Sequence, residues 1–129
     1  MWERIKRPTY DFGYKTVSFR SNWELNYAFY LEWLKNKGEI KDWIYEPERY
    51  DFIGYEGKRP FVVGPSYLPD FKVINNDGTF YLVEVKGRKQ GMRKLQRMKK
   101  YHKDIKVELV GPKEYRELKS KVGKICNFN

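Results

Sequence analysis

The sequence predicts one α/β domain: a mixed β-sheet flanked by helices, in the order helix, several strands, helix, strand, helix. Three observations lead there. The chain has 129 residues, 40% of them hydrophobic and 18% aromatic, enough for one domain with its own core and too apolar for disorder. Short apolar segments bounded by Gly, Pro, Asn and Asp follow a capped helix, which is the pattern of strands and turns. A strand–helix–strand stretch from Tyr81 to Val110 allows two strands to pair in parallel through a right-handed crossover.

Residues 1–20 are aromatic and basic and read as an N-terminal arm, with a short strand over Thr16–Arg20. Ser21 followed three residues later by Glu24 is a capping-box pattern that starts a helix. Apolar positions recur to Leu34, and Lys35 to Gly38 supplies a basic last turn and a stop. Trp43–Glu46 reads as a strand ended by Pro47, and Tyr50–Tyr55 as a second short strand before a turn at Gly57. Ser66–Ile74 and Phe80–Gly87 form a hairpin around the turn Asn75-Asn76-Asp77-Gly78. Gln90–Lys103 is a basic helix, Lys106–Val110 a strand, and Lys113–Lys121 a terminal helix after Gly111-Pro112. The expected organisation is an arm (1–20), a core (21–110) and a C-terminal helix and tail (111–129).

Composition excludes several chemistries. Cys126 and His102 are the single cysteine and histidine, so a disulfide within the chain, a thiolate zinc cluster and a His-rich zinc site cannot be built. The apolar runs are too short to span a bilayer and the N-terminus has no signal-like apolar core, so a soluble cytoplasmic protein with no membrane partner is expected. Catalysis, if present, rests on carboxylates, lysines and a hard cation.

The net charge is +10, and its distribution is the informative part. From Lys86 to Lys106 there are ten Lys/Arg against the single acid Asp104. Such a block is the electrostatic footprint of a polyanion, and beside Glu84 and Lys86 it favours nucleic acid over a merely solvated face. A ridge of Gln90, Lys94, Arg97 and Tyr101 borders the apolar stripe of Leu95, Met98 and His102. Lys94 and Gln90 are expected nearest the scissile phosphate. Arg88, Lys89, Arg93 and Arg97 are expected to grip the backbone. His102, Tyr67, Trp43 and Tyr45 read as core.

Asp70 sits in one apolar strand, and Glu84 and Lys86 in the next. A carboxylate there is costly unless its desolvation is compensated, and a cation is the usual compensation. Asp70, Glu84 and a backbone carbonyl, that of Val85, could hold one or two Mg²⁺ ions, with Mn²⁺ as a substitute. Glu24 is a possible third acid. It lies on the same helical face as Tyr27, Ala28 and Leu31, an odd place for a glutamate, yet the capping box alone also accounts for it. The two readings are equally weighted and compatible. Glu46 is a spare acid at a strand end, ranked below Glu24.

Pro69-Asp70 followed by Glu84-Val85-Lys86 resembles the PD-(D/E)XK nuclease superfamily over residues 21–110. The acid in Arg20-Ser21-Asn22-Trp23-Glu24 is similar to that of phage endonuclease I type Holliday junction resolvases, with transposon-end nuclease subunits as a second relative. The resemblance implies a restriction-endonuclease-like core of helix, three antiparallel strands, helix and strand, with Asp70 and Glu84 as metal ligands, Lys86 as catalytic lysine and Glu24 at a second metal position. It implies a homodimeric, divalent-metal-dependent DNA endonuclease acting on branched DNA, in the host cytoplasm if phage-encoded. The rivals are a nicking, restriction or repair nuclease on linear duplex, and a DNA-binding subunit of a transposition or recombination complex without independent activity.

Overall fold

The computed structural model describes residues 7–85 and 89–126, with the side chains of 89–91 outside that description. Its elements are β1 (Thr9–Asp11), β2 (Thr16–Ser18), α1 (Asn22–Asn36), β3 (Asp42–Tyr45), β4 (Ile53–Glu56), β5 (Arg59–Val62), β6 (Phe71–Ile74), β7 (Phe80–Val85), α2 (Lys89–Tyr101), β8 (Val107–Val110) and α3 (Pro112–Val122). The central sheet has four strands in the order β3-β6-β7-β8. β3, β6 and β7 form an antiparallel meander, and β8 joins β7 in parallel after the α2 crossover. The mixed sheet with flanking helices, expected from the sequence, is therefore present.

Alternation along the strands sends side chains to two cores. Val83 and Val85 pack with Tyr27, Ala28 and Leu31 of α1, together with Trp43, Phe71, Val110 and Tyr115 of α3. Leu82 packs on the other face with Leu95 and Met98 of α2, Phe52 and Tyr67. So α1 and α2 cover opposite faces. Among the described residues no helix is long and apolar enough to cross a membrane.

α1 begins where Ser21 Oγ accepts the Glu24 N–H at 3.2 Å, leaving an extended N-cap before the first turn. The β6–β7 turn closes as expected: the Gly78 N–H donates to the Asn75 carbonyl at 3.0 Å, and Gly78 takes φ +88°, a region open to glycine.

Three expectations need correction. The described part of the expected arm, residues 7–20, is a packed hairpin. β1 pairs with β2, Phe12 meets Trp43 edge-on, and Phe19 packs at a tilt on Phe71. Aromatic burial, rather than strand propensity, holds this hairpin. The strand expected over Tyr50–Tyr55 starts later, at Ile53, and pairs with β5 in a hairpin outside the central sheet. The strand expected from Ser66 starts only at Phe71. Pro69 has no N–H to give to a ladder, so Asp70 sits in a bend just before β6, and only Tyr67 bridges back, to Tyr50.

Candidate active site

The meander brings the end of β3, the start of β6 and the end of β7 to one edge of the sheet, where α1 begins. Four acids meet there: Glu24 at the start of α1, Glu46 after β3, Asp70 before β6, and Glu84 on β7. Asp70 senses the other three, since each of their charges raises its pKa.

Asp70 is fixed by its neighbours across the ladder. Its Oδ2 accepts the Val85 N–H at 2.7 Å, and its carbonyl accepts the Glu46 N–H at 2.8 Å. Burial, then the Glu84 and Glu24 charges, push its carboxyl up to about 8, against the Val85 hydrogen bond, which pulls the other way. Two carboxylates that are buried together cannot both ionise freely.

Glu84 shares the α2 face with Leu82, two residues earlier on β7. The Tyr67 hydroxyl donates to its Oε2 at 2.6 Å. Burial raises its pKa, the Tyr67 bond lowers it, Glu24 raises it, and Lys94 and Arg20 lower it. Those two cations therefore approach Glu84 from α2 and from the start of α1. Among the described residues, Glu24, Asp70 and Glu84 form no ion pair within 4.0 Å.

Glu24 is only 7% exposed. Ser21 Oγ donates to its Oε2 at 2.8 Å and the Tyr45 hydroxyl donates to its Oε1 at 2.6 Å. Its backbone takes part in the cap, and its carboxylate is close enough to the other acids to raise the Asp70 pKa. The capping box is altered, because the carboxylate meets the Ser21 hydroxyl.

Glu46 ends β3 with φ +45°, a left-handed conformation that a non-glycine residue rarely holds. Its carboxylate lies 3.1 Å from the Arg20 guanidinium. Sequence reasoning ranked this acid below Glu24 and did not single out Arg20, its ion-pair partner. It also read Tyr45 and Tyr67 as core alone. Tyr67 is 2% exposed, so the reading of its ring holds, but both hydroxyls are spent on site carboxylates.

Asp70 and Glu84 each have one oxygen engaged by the hydrogen bonds described above, leaving Asp70 Oδ1 and Glu84 Oε1 as the available donors. Among the described residues, no three Asp, Glu, His or Cys side chains gather closely enough to close on one ion. What is present is the pair of hard oxygen donors expected from the sequence, with the Val85 carbonyl on the residue whose N–H already holds Asp70. Such a set suits Mg²⁺, which keeps several waters and takes one or two carboxylates. Glu24 fits an inner ligand less well, because both its oxygens accept hydroxyl hydrogen bonds.

The clefts along β8 are lined by none of the four acids; the acids at one of them are Glu108 and Glu114. One of about 350 Å³ is lined by Tyr27, Tyr30 and Leu118 among others, and one of about 240 Å³ by Met92, Leu95 and Ile105 among others.

Residues 6–128 match the model of a protein family of unknown function, DUF1064. The chain belongs to the DUF1064 family. No curated protein and no solved structure matches it. The four acids and the basic α2 of this DUF1064 chain thus stand on their own geometry. Of the expected polyanion contacts, Lys94 is half-buried and within the field of Glu84. Arg93 is exposed. The Arg97 guanidinium packs against the backbone at Gly64. Lys86 and Arg88 lie outside the described residues, and Lys89 and Gln90 lie in the first turn of α2 with their side chains outside them.

Proposed function

We propose that the protein is a divalent-metal-dependent DNA endonuclease. The observation that carries this reading is the pair of half-buried acids Asp70 and Glu84 at one sheet edge, where desolvation raises both pKa values and the charges of neighbouring acids add to it, beside a strongly basic helix. Buried acids held close without a described counter-ion are a costly arrangement that a divalent cation would relieve. The element order of α1, the β3-β6-β7 meander, α2 and parallel β8 supports the finer reading of a restriction-endonuclease-like, PD-(D/E)XK core.

A bound Mg²⁺ would supply Lewis acidity toward the phosphate and acidify a water. Asp70 Oδ1, Glu84 Oε1 and the Val85 carbonyl would hold it, and Mn²⁺ would serve in its place. The Tyr67 hydroxyl fixes the Glu84 rotamer. Lys86, two residues on from Glu84 in sequence, would orient the attacking water and neutralise charge developing on the phosphoryl group. Lys94 and Arg93 would hold the flanking backbone, and Arg88, Lys89 and Gln90 follow Glu84 closely enough in sequence to contribute to the same grip. Glu24 completes the acid cluster at the start of α1, and a second ion would sit on its side.

For substrate we favour branched DNA, cut by a homodimer, on the resemblance of the Ser21–Glu24 helix start to junction-resolving enzymes. Incubation in Mg²⁺ with a four-way junction and its matched linear duplex tests both levels. Preferential junction cleavage supports the full reading. Equal cutting of both removes the junction assignment and keeps the nuclease. DNA binding with no cleavage of either removes the nuclease and favours a non-catalytic subunit.

A further inference from the structure

The cations around the acids come from two sides. Lys94 of α2 acts on Glu84 from one side. From the other comes Arg20, the residue before the N-cap of α1, whose charge also lowers the Glu84 pKa. Its main chain is anchored to the site: the Arg20 N–H donates to the Tyr45 hydroxyl at 3.1 Å, the same hydroxyl that holds Glu24. Its guanidinium, by contrast, is in reach of solvent. The side chain is 56% exposed and its one ion pair, Nη2 to Glu46 Oε2 at 3.1 Å, joins it to a carboxylate that is 24% exposed.

An exposed pair of this kind contributes only ~0–1 kcal/mol. A phosphate offers the guanidinium fork two oxygens at once, so exchange of Glu46 for a phosphate is favourable. Glu46 is meanwhile held by its own backbone. Its left-handed φ of +45° and its N–H bond to the Asp70 carbonyl tie it to the acid cluster whether or not Arg20 stays with it.

We infer that Arg20 is a phosphate-binding residue of the site, gripping the nucleic-acid backbone on the side of the acids opposite α2, with Glu46 as its resting counter-ion. This rests on the proposal that the substrate is a DNA phosphodiester. The backbone then crosses the acids between the start of α1 and the basic face of α2, held at both ends. α2 alone would hold it at one end only.

A merely structural Arg20–Glu46 pair and a phosphate-binding Arg20 predict opposite signs for the two partners. The measurement is fluorescence anisotropy of a labelled duplex over a salt series, in EDTA so that no cleavage enters, with a thermal melt of each variant. Arg20→Gln should weaken binding several-fold and reduce the slope of log K against log salt by about 0.9, one phosphate contact. Arg20→Lys should keep the slope and lose part of the affinity. Glu46→Gln should leave binding equal or tighter, because it frees the guanidinium. Parallel losses for Arg20→Gln and Glu46→Gln, or an unchanged slope for Arg20→Gln while Lys94→Gln lowers it, would overturn the inference and spare the nuclease reading. If the wild-type protein binds no DNA, both fall together, whereas loss of cleavage alone touches only the nuclease.

Discussion

The Tyr67 hydroxyl donates a 2.6 Å hydrogen bond to Glu84 Oε2, from a ring that is 2% exposed. Burial and the Glu84 charge hold that hydroxyl well above the usual tyrosine range, so it remains a donor at every working pH. Tyr67→Phe removes one hydrogen bond and leaves the ring packing. Stability should fall by ~1 kcal/mol, while divalent-ion affinity falls ~10-fold because the ligand rotamer is no longer fixed. Denaturant melts and calorimetric ion titration separate the two effects. A stability loss with unchanged ion affinity would show Tyr67 to be core and nothing more.

The Asp70 carboxyl, pushed up to about 8, makes the metal-free protein sensitive to pH. Its folded pKa lies above its unfolded one, so its contribution is fully present at low pH and is lost as pH rises through about 8. Metal-free protein should lose stability between about pH 4 and about pH 8 and level off above that, by on the order of 2 kcal/mol when the shift is shared with Glu84. Asp70→Asn keeps an acceptor for the Val85 N–H and should flatten this profile. A wild-type curve equally flat would contradict the buried, repelled carboxyl. In the same window, ion affinity should rise with pH, because the ion displaces that proton.

Glu24 separates cap from chemistry. Ser21→Ala removes the acceptor of the Glu24 N–H and a donor to its carboxylate, and should cost ~1 kcal/mol. Glu24→Gln keeps the main-chain cap and can still accept from Tyr45. It should fold with near-normal stability yet cut DNA poorly. Normal cleavage by Glu24→Gln would reduce the residue to a helix start.

Gly64 combines φ +70° with the Arg97 guanidinium 2.9 Å from where a Cβ would lie. Gly64→Ala should destabilise by ~1–2 kcal/mol and push Arg97 off this loop. A lowered melting temperature with altered DNA affinity is the expected pair of results.

Much of the site was legible in the sequence because its determinants are local. Asp70 and Glu84 stand out as acids in apolar segments, and the turn at Asn75–Gly78 sets them side by side. Ser21 and Glu24 announce their own helix start. The residues that were missed act through non-local partners. Apolar patterning marks Tyr45 and Tyr67 as core and is blind to where a hydroxyl ends. Glu46 looked like a spare acid because a left-handed φ at a strand end leaves no trace in composition. The β1–β2 hairpin was hidden for a similar reason: its three-residue strands depend on Phe12 meeting Trp43, 31 positions away. Pro69 was visible, but it was read as part of a motif when its missing N–H also ends the strand.

The central claim is that Asp70 and Glu84 form a divalent-metal site for phosphodiester cleavage. It is tested most directly by titrating Mn²⁺ into metal-free wild type, Asp70→Asn and Glu84→Gln, with Mg²⁺-dependent DNA cleavage assayed on the same preparations. We expect saturable binding by the wild type, a loss of at least ~10-fold in both variants, and no cleavage by either despite intact DNA binding. Unchanged ion affinity and cleavage in Asp70→Asn would contradict the account.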